Sequence, residues 1–597
     1  MRYVLLKKCL AVLSVLVLPA TGLWAAAAEE APAAGADKKY VTDPTTGKVI
    51  VAPQYGGSIA QGWNSPLGPH ADLWWGAGAR ELVTLVLEKL GIADWATPRD
   101  KWDFKNLDPP LSVHRGLLAE SWETPDDTTY IFHIRKGVHW QDKPPLNGRE
   151  LVAEDIVFHF HRMFGLGSGF TEKSPYAHVL TAAPIESIEA TDKYTVVFKL
   201  TKRDFSAFMS IINSHDGAFI YPPEVIEEHG DAQDWRNLVG TGPYMLTDWV
   251  KDSSVTYTKN PNYWGYDEKF PENRLPYLDE VKSLIMPDSS TQLAALRTGK
   301  IARMWSVTVD QAKALQMTNP ELLWTTTLNM PWTFAMDVRK PPFDDIRVRT
   351  AMQLALDLET INDTLFEGHG DTTPYGIVNP AHPGFYTPFE EWPQQIKDNH
   401  AYDPERAKQL LAEAGYPNGF KTKIGLAPAL TFYNNLDYTQ LSVDYWAQIG
   451  VDVEIDLMEW AVLAPRLSTH TYEGGMTIGI RGVAWSPLGA IRTVAHSSVD
   501  VWTNTPGVQD PVYDAMVEAA ENAGSTEEMM ELVKEADTYF TEQQWTTWGP
   551  MRPNFIFWQP WMAGYDGEST IGGGSFWLYL SRVWLDSDLK EEMTGTR

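Results

Sequence analysis

Apolar and polar residues alternate most cleanly in Val451-Asp-Val-Glu-Ile-Asp-Leu457, where four apolar side chains interleave with three acids. A period of two predicts a strand with one buried face. Thr129–Ile134 has the same pattern, with Tyr130, Phe132 and Ile134 on one side, and so does Tyr194–Leu200, with Val196, Phe198 and Leu200. Other stretches follow the helical period. After Asp403-Pro404-Glu405, residues Ala407, Leu410, Leu411 and Ala414 fall at i, i+3, i+4 and i+7, and Gly415 closes the run. Asp403 suits an N-cap, and a proline at the first helical position has no N–H to lose. Asp345 predicts a second helix with Val348, Met352, Ala355 and Leu356 facing inward, and Glu154–Met163 reads as a third. Strand and helix signals alternate along the chain, with prolines and glycines between them. That predicts a large α/β body rich in loops. Ala31–Thr46 lacks any periodicity and reads as a flexible leader.

The N-terminus has its own pattern. Arg2, Lys7 and Lys8 precede the apolar run Cys9–Leu18, and Pro19 and the small residues Ala25–Ala28 follow, ahead of Glu29. This is the layout of a secretory signal ending near residue 28. The run is too short to span a bilayer as a helix, which takes about 20 residues. A buried strand or a membrane anchor is the alternative. The one cysteine, Cys9, stands at the start of the apolar run instead of following it, so it does not fit a lipid-attachment site. Cleavage would leave a mature chain with no thiol, hence no disulfide and no cysteine metal site. About 570 residues remain, enough for several domain-sized units held by their cores alone. The net charge is −29, and loss of Arg2, Lys7 and Lys8 takes it to −32. Such an acidic chain is a poor partner for nucleic acid or anionic membranes.

An exported chain of this size invites a search for hydrolytic machinery. There is no His-Glu-x-x-His zinc helix, no Gly-x-Ser-x-Gly elbow, no Walker loop, no dinucleotide fingerprint and no EF-hand loop. Gly165-Leu-Gly-Ser-Gly169 has the wrong spacing and reads as a turn. His159 and His161 would share a face on a strand but diverge on the expected helix, so no metal site is read there. A pair of glycosidase carboxylates is not visible in a sequence with 78 acids. The expectation is therefore a non-enzyme without cofactor or metal, with a secreted hydrolase kept as the alternative.

Several short strings then occur in order: Leu117–Trp122, Thr129–Val138, Ala153–Val157, Gly240-Thr-Gly-Pro-Tyr244, Asn260-Pro-Asn-Tyr-Trp264, Asp345–Arg349 with Ala355 and Asp357, and Tyr402–Lys408 running on to Ala414–Pro417. Together they resemble the bacterial extracellular solute-binding proteins of family 5, the oligopeptide-, dipeptide- and nickel-type binding components of ABC importers. Gly240 and Gly242 with Pro243 make a tight turn, and Asn260-Pro261 starts another, so these strings are scaffold.

The resemblance implies a two-lobed periplasmic-binding-protein fold (type II, cluster C-like), α/β in class, with an additional domain on the first lobe. On this sequence the first lobe takes 29–85, 205–325 and 565–597, the additional domain 86–204, and the second lobe 326–564. It implies a soluble, monomeric periplasmic protein that closes on a small molecule or peptide and is read by ABC permease subunits. Use in sensing or chaperoning instead of uptake is left open.

Peptide binders of the family carry an aspartate a few residues after a tryptophan, and that acid pairs with the peptide α-amino group. The matching stretch is Gly479–Gly489. Trp485 fits the tryptophan, but Ser486–Leu488 hold no acid. A buried ammonium without a counter-charge is costly. An oligosaccharide or another non-peptide solute therefore competes with peptide. The chain has 25 tryptophans, and aromatic faces suit sugar rings, flat ligands and quaternary amines. The candidate ligand contacts are Trp485 and Trp502 beside the second-lobe loop, Trp63 and Asn64 at the first-lobe edge, Trp332 before a predicted strand, and Arg481 for a carboxylate or phosphate.

Overall fold

Tyr130 lies opposite Phe198 and Phe132 opposite Val196 where strands Thr129–Ile134 and Thr195–Leu200 pair antiparallel. The period-two faces read from the sequence thus meet across one sheet, ordered Ala119–Asp126, Thr129–Ile134, Thr195–Leu200, Ile185–Asp192. The helix Ala153–Phe164 covers it, with the Phe160 ring edge-on to Phe198 at 5.1 Å. The third strand starts at Thr195 because the Tyr194 N–H is turned onto the Asp192 carboxylate at 2.8 Å.

The computed structural model describes residues 39–597 apart from 64–67, 69, 77–78, 106–108, 205, 216, 381, 428–435, 480–486 and 500–503; within helices and strands it leaves aside the side chains of 178, 179, 329, 460 and 461. A second four-stranded sheet runs Tyr244–Val250, Ser254–Lys259, Glu280–Ile285, Ser58–Trp63, and its last two strands are parallel. A third runs Phe334–Met336, Met476–Ile478, Phe420–Leu426, Val451–Leu457, and Phe420–Leu426 is parallel to both of its neighbours. Val451 and Val453 are buried while Asp452 and Glu454 are exposed. The alternation fades at the carboxyl end, where Leu457 is 50% exposed.

The capped helices form where their signals stand. Asp403 accepts from the Arg406 N–H at 2.8 Å ahead of Pro404–Glu413. Asp345 does the same for Arg347 ahead of Ile346–Leu354. That second helix stops short of the expected Ala355 and Leu356. Asp357 caps a new helix, Leu358–Phe366, by accepting from the Thr360 N–H at 3.1 Å, so the chain must break before it. Ala355 and Leu356 remain buried all the same.

The two glycine- and asparagine-containing strings clasp each other. A Cβ at Gly240 would overlap the Val86 carbonyl oxygen, and the Gly242 N–H donates to that same oxygen at 2.9 Å. Asn260 donates from Nδ2 to the Gly242 carbonyl at 3.0 Å and accepts the Asn262 N–H at 3.1 Å. Buried backbone groups are satisfied in this way where no ladder runs.

Two large apolar cores result. One holds the first two sheets and the C-terminal segment around Trp577–Leu585, and the other holds the third sheet. Three antiparallel strands join them: Arg303–Val307, Met551–Trp558 and Leu323–Pro331, with Met551–Trp558 in the middle. Among the described residues no helix is long and apolar enough to cross a membrane.

Candidate ligand-binding site

Ligands of α/β sheets collect beyond the carboxyl ends of parallel strands, where loops leave the sheet and side chains are not consumed by pairing. Each of the two mixed sheets has such an edge here. In the first it lies at Trp63, the last residue of Ser58–Trp63. In the second it lies at Leu426 and Ile478.

The edge at Trp63 is aromatic and charged. Trp63 is half-buried and stands edge-on to the fully buried Trp577, with ring centres 5.4 Å apart. Tyr257 meets Trp577 from another side and donates its hydroxyl to the Glu81 and Leu82 carbonyls at 3.2 Å. The Arg80 guanidinium lies over Phe576, 5.2 Å from the ring centre. Its Nε is 3.9 Å from the Glu81 carboxylate, a long contact. Burial pushes the Glu81 carboxyl up, and Arg80 offsets this only in part. Gly574 (φ +73°) lets its loop pass close by, since a Cβ there would sit 2.6 Å from His215 Cβ and 3.0 Å from Arg80 Cδ.

The joining strands supply a second polar feature. In Met551–Trp558 side chains alternate between two faces. Phe555 and Phe557 enter the second core, whereas Ile556 and Trp558 enter the first. Arg552 and Asn554 share the face of Ile556 and Trp558. Asn554 is 1% exposed and donates to Thr327 Oγ1 at 3.3 Å, while its Oδ1 has no partner. Arg552 Nε and Nη2 are inaccessible and also lack partners among the described residues. Further along this face, Lys105 donates to Thr325 Oγ1 at 2.7 Å. Pro553 is tolerated in mid-strand. Met551 exchanges its backbone bonds with Asp371, so the missing N–H at 553 would point to that same side, past the end of Arg303–Val307.

Of the residues singled out from sequence, Trp63 lies on the first edge. Trp332 is 8% exposed and packs inside the second core, stacked on Tyr438 at 5.3 Å and tilted against Phe366 at 5.2 Å. That is a packing position, and a tryptophan beside a strand does not by itself tell core from cleft. Asn64, Arg481, Trp485 and Trp502 lie outside the described residues. Arg552 was not among the candidates. Its signal was present, as the lone charge in the apolar strand Met-Arg-Pro-Asn-Phe-Ile-Phe-Trp.

The histidine pair diverges. His159 is buried and bonds the Gly217 carbonyl through Nε2 at 2.8 Å, whereas His161 bonds the Ile188 carbonyl at 2.9 Å. Burial depresses the His159 pKa to about 4, which keeps it neutral. Among the described residues no group of three His, Cys, Asp or Glu is placed to hold a metal. Two buried acids are engaged in structural ion pairs. Asp72 takes both Arg162 nitrogens, at 3.1 and 2.5 Å, and Glu268 takes Arg582, at 2.8 and 2.6 Å.

The profile of bacterial extracellular solute-binding proteins, family 5 middle, matches residues 114–501. The heme-binding protein A of Haemophilus influenzae is 31% identical over 481 residues, which span 77% of this chain and 83% of that protein. The dipeptide-binding protein of Escherichia coli is 26% identical over 452 residues, 71% of this chain and 78% of that one. Among solved structures, the ABC transporter-associated periplasmic binding protein DppA of Helicobacter pylori, in complex with peptide STSA, superposes with a TM-score of 0.70 at 22% identity. That likeness covers 89% of this chain and 99% of that one, and it shows the fold.

Proposed function

The chain belongs to the family 5 bacterial extracellular solute-binding proteins, and on that footing we propose that it is the extracytoplasmic binding component of an ABC importer. It captures a peptide or similar organic solute between two lobes and hands it to membrane permease subunits, without chemical change to the solute. Residues 1–28 act as its export signal, and the mature protein works as a soluble periplasmic monomer.

One observation carries the mechanism. A single central strand, Met551–Trp558, buries alternate residues in two different cores. Two bodies joined by such strands can rotate about them, and a ligand that touches both bodies favours the closed form. Trp63 and Asn64 are the first-lobe ligand contacts, and Arg481, Trp485 and Trp502 the second-lobe contacts. Trp332 supports the second wall from behind.

The names of the similar proteins mention heme, dipeptide and the peptide STSA. A peptide held by its carboxyl end suits this chain better than one held by its amine, because Ser486–Leu488 offer no acid. Thermal unfolding of the mature protein with dipeptides, tetrapeptides, heme and oligosaccharides tests the reading. A true ligand at 100 times its Kd adds about 2.7 kcal/mol of stability. Turnover of any of these solutes would sink the transport reading.

A further inference from the structure

Buried arginines elsewhere in this protein have partners. Arg162 has Asp72 and Arg582 has Glu268. Arg303 donates to the Tyr565 hydroxyl at 2.9 Å. Arg349 donates to the carbonyls of Phe343 and Gln543 at 2.8 Å. Arg552 differs: it is half-buried, and whereas Arg80, Arg99 and Arg115, which also have an inaccessible nitrogen without a hydrogen bond, each lie beside a carboxylate, Arg552 has no ion pair among the described residues. Its Nε and Nη2 are inaccessible and bond to nothing among the described residues, and burial lowers its pKa. Two residues along the same face, Asn554 Oδ1 is likewise without a partner. Inaccessible guanidinium nitrogens left unpaired are costly, and such a cost persists where the group has work to do with a ligand.

The position fits that use. Arg552 lies on a strand that joins the two cores, next to Met551, whose backbone bridges to Asp371. Its fork presents parallel N–H donors that match a carboxylate bidentately. We propose that Arg552, on the same strand face as Asn554, is an anion-binding subsite that takes a carboxylate of the captured solute. This rests on the binding-protein reading above and names its ligand chemistry. A peptide C-terminus, a heme propionate and a free organic acid share that group.

The test has two arms. In the first, thermal unfolding of wild type, Arg552→Gln and Asn554→Asp is followed in sodium acetate and in sodium chloride of equal ionic strength. Acetate should raise the wild-type Tm above the chloride control and leave Arg552→Gln at the control. Without acetate, Arg552→Gln should unfold at a higher temperature than wild type, because the unpaired charge is gone. Asn554→Asp provides an internal counter-ion and should abolish the acetate response with folding intact, which covers the case that Arg552→Gln folds poorly. An equal acetate response in wild type and either variant overturns the proposal. In the second arm, calorimetry compares alanyl-phenylalanine with its C-terminal amide. The free acid should bind wild type about 10-fold or more tightly, and the preference should vanish in Arg552→Gln. An undiminished preference in Arg552→Gln also overturns it. Failure of every organic solute to bind, with the acetate response intact, would instead sink the binding-protein reading and leave the anion subsite standing.

Discussion

Phe557 and Trp558 are consecutive residues buried in different cores. Phe557 lies under Trp324 in the second, with ring centres 6.2 Å apart, and Trp558 meets Tyr565 edge-on in the first, at 5.2 Å. Truncation on either face should therefore loosen a different body. Phe557→Ala should cost about 3–5 kcal/mol, and Ile556→Ala about 2–5. Urea unfolding measures the losses. Hydrogen exchange should show protection falling first at Phe420–Leu426 and Val451–Leu457 for Phe557→Ala, and at Ser58–Trp63 and Glu280–Ile285 for Ile556→Ala. Identical exchange maps would contradict the two-core account.

Gly240 has no room for a side chain against the Val86 carbonyl. Gly240→Ala should destabilise by about 3 kcal/mol or more, as a forced backbone shift in a packed site does. Asn260→Ala should do less, about 1–2 kcal/mol, by leaving the Gly242 carbonyl short of one donor. Chemical denaturation distinguishes them, and a silent Gly240→Ala would refute the clasp.

Glu268 gives a pH signature. Burial pushes its carboxyl up, but Arg582 and Arg115 outweigh this and bring its pKa down to about 2, from an ordinary 4.5. A pKa lower in the folded than in the unfolded chain means stability that is present above pH 4.5 and lost as pH falls from there toward 2. Glu268→Gln should lose about 3–5 kcal/mol at neutral pH, because Arg582 is left buried without its charge partner. Its stability should also fall less steeply than wild type below pH 4.5. Parallel acid-unfolding curves would disprove the assignment.

Trp63 tests the first wall. It is half-buried, and its ring rests on Trp577. Trp63→Ala should weaken ligand binding by roughly 1–2 kcal/mol, about 10-fold. The cost to stability should be smaller, near the 0.5–1.5 kcal/mol of one aromatic pair (about that, by double-mutant cycles). Calorimetry beside thermal unfolding separates the two effects, and unchanged affinity would remove Trp63 from the wall.

Much of the fold was legible because local chemistry and tertiary packing agree. Val451–Leu457 alternates and is half-buried, and Asp403 caps the helix whose stripe follows it. Legibility failed where a neighbouring signal competed. Asp357 caps a second helix and cuts the first short of Ala355. The site was harder to read. Trp63 and Trp332 look alike as tryptophans near strand ends, and only burial separates an edge from a core. Arg552 was visible as a charge among apolar neighbours, but its meaning depends on an unmet hydrogen bond, which is a fact of three dimensions.

Capture between two bodies is the central claim, and small-angle scattering on the mature protein measures it most directly. The solute that gives the largest thermal shift is added at saturation, beside Trp63→Ala at the same and at higher concentrations. The expected result is a smaller radius of gyration for liganded wild type, with the solute recovered unchanged, and the same contraction for Trp63→Ala only at about 10-fold higher solute concentration. A liganded protein as extended as the free one, or a solute recovered as products, would contradict the account.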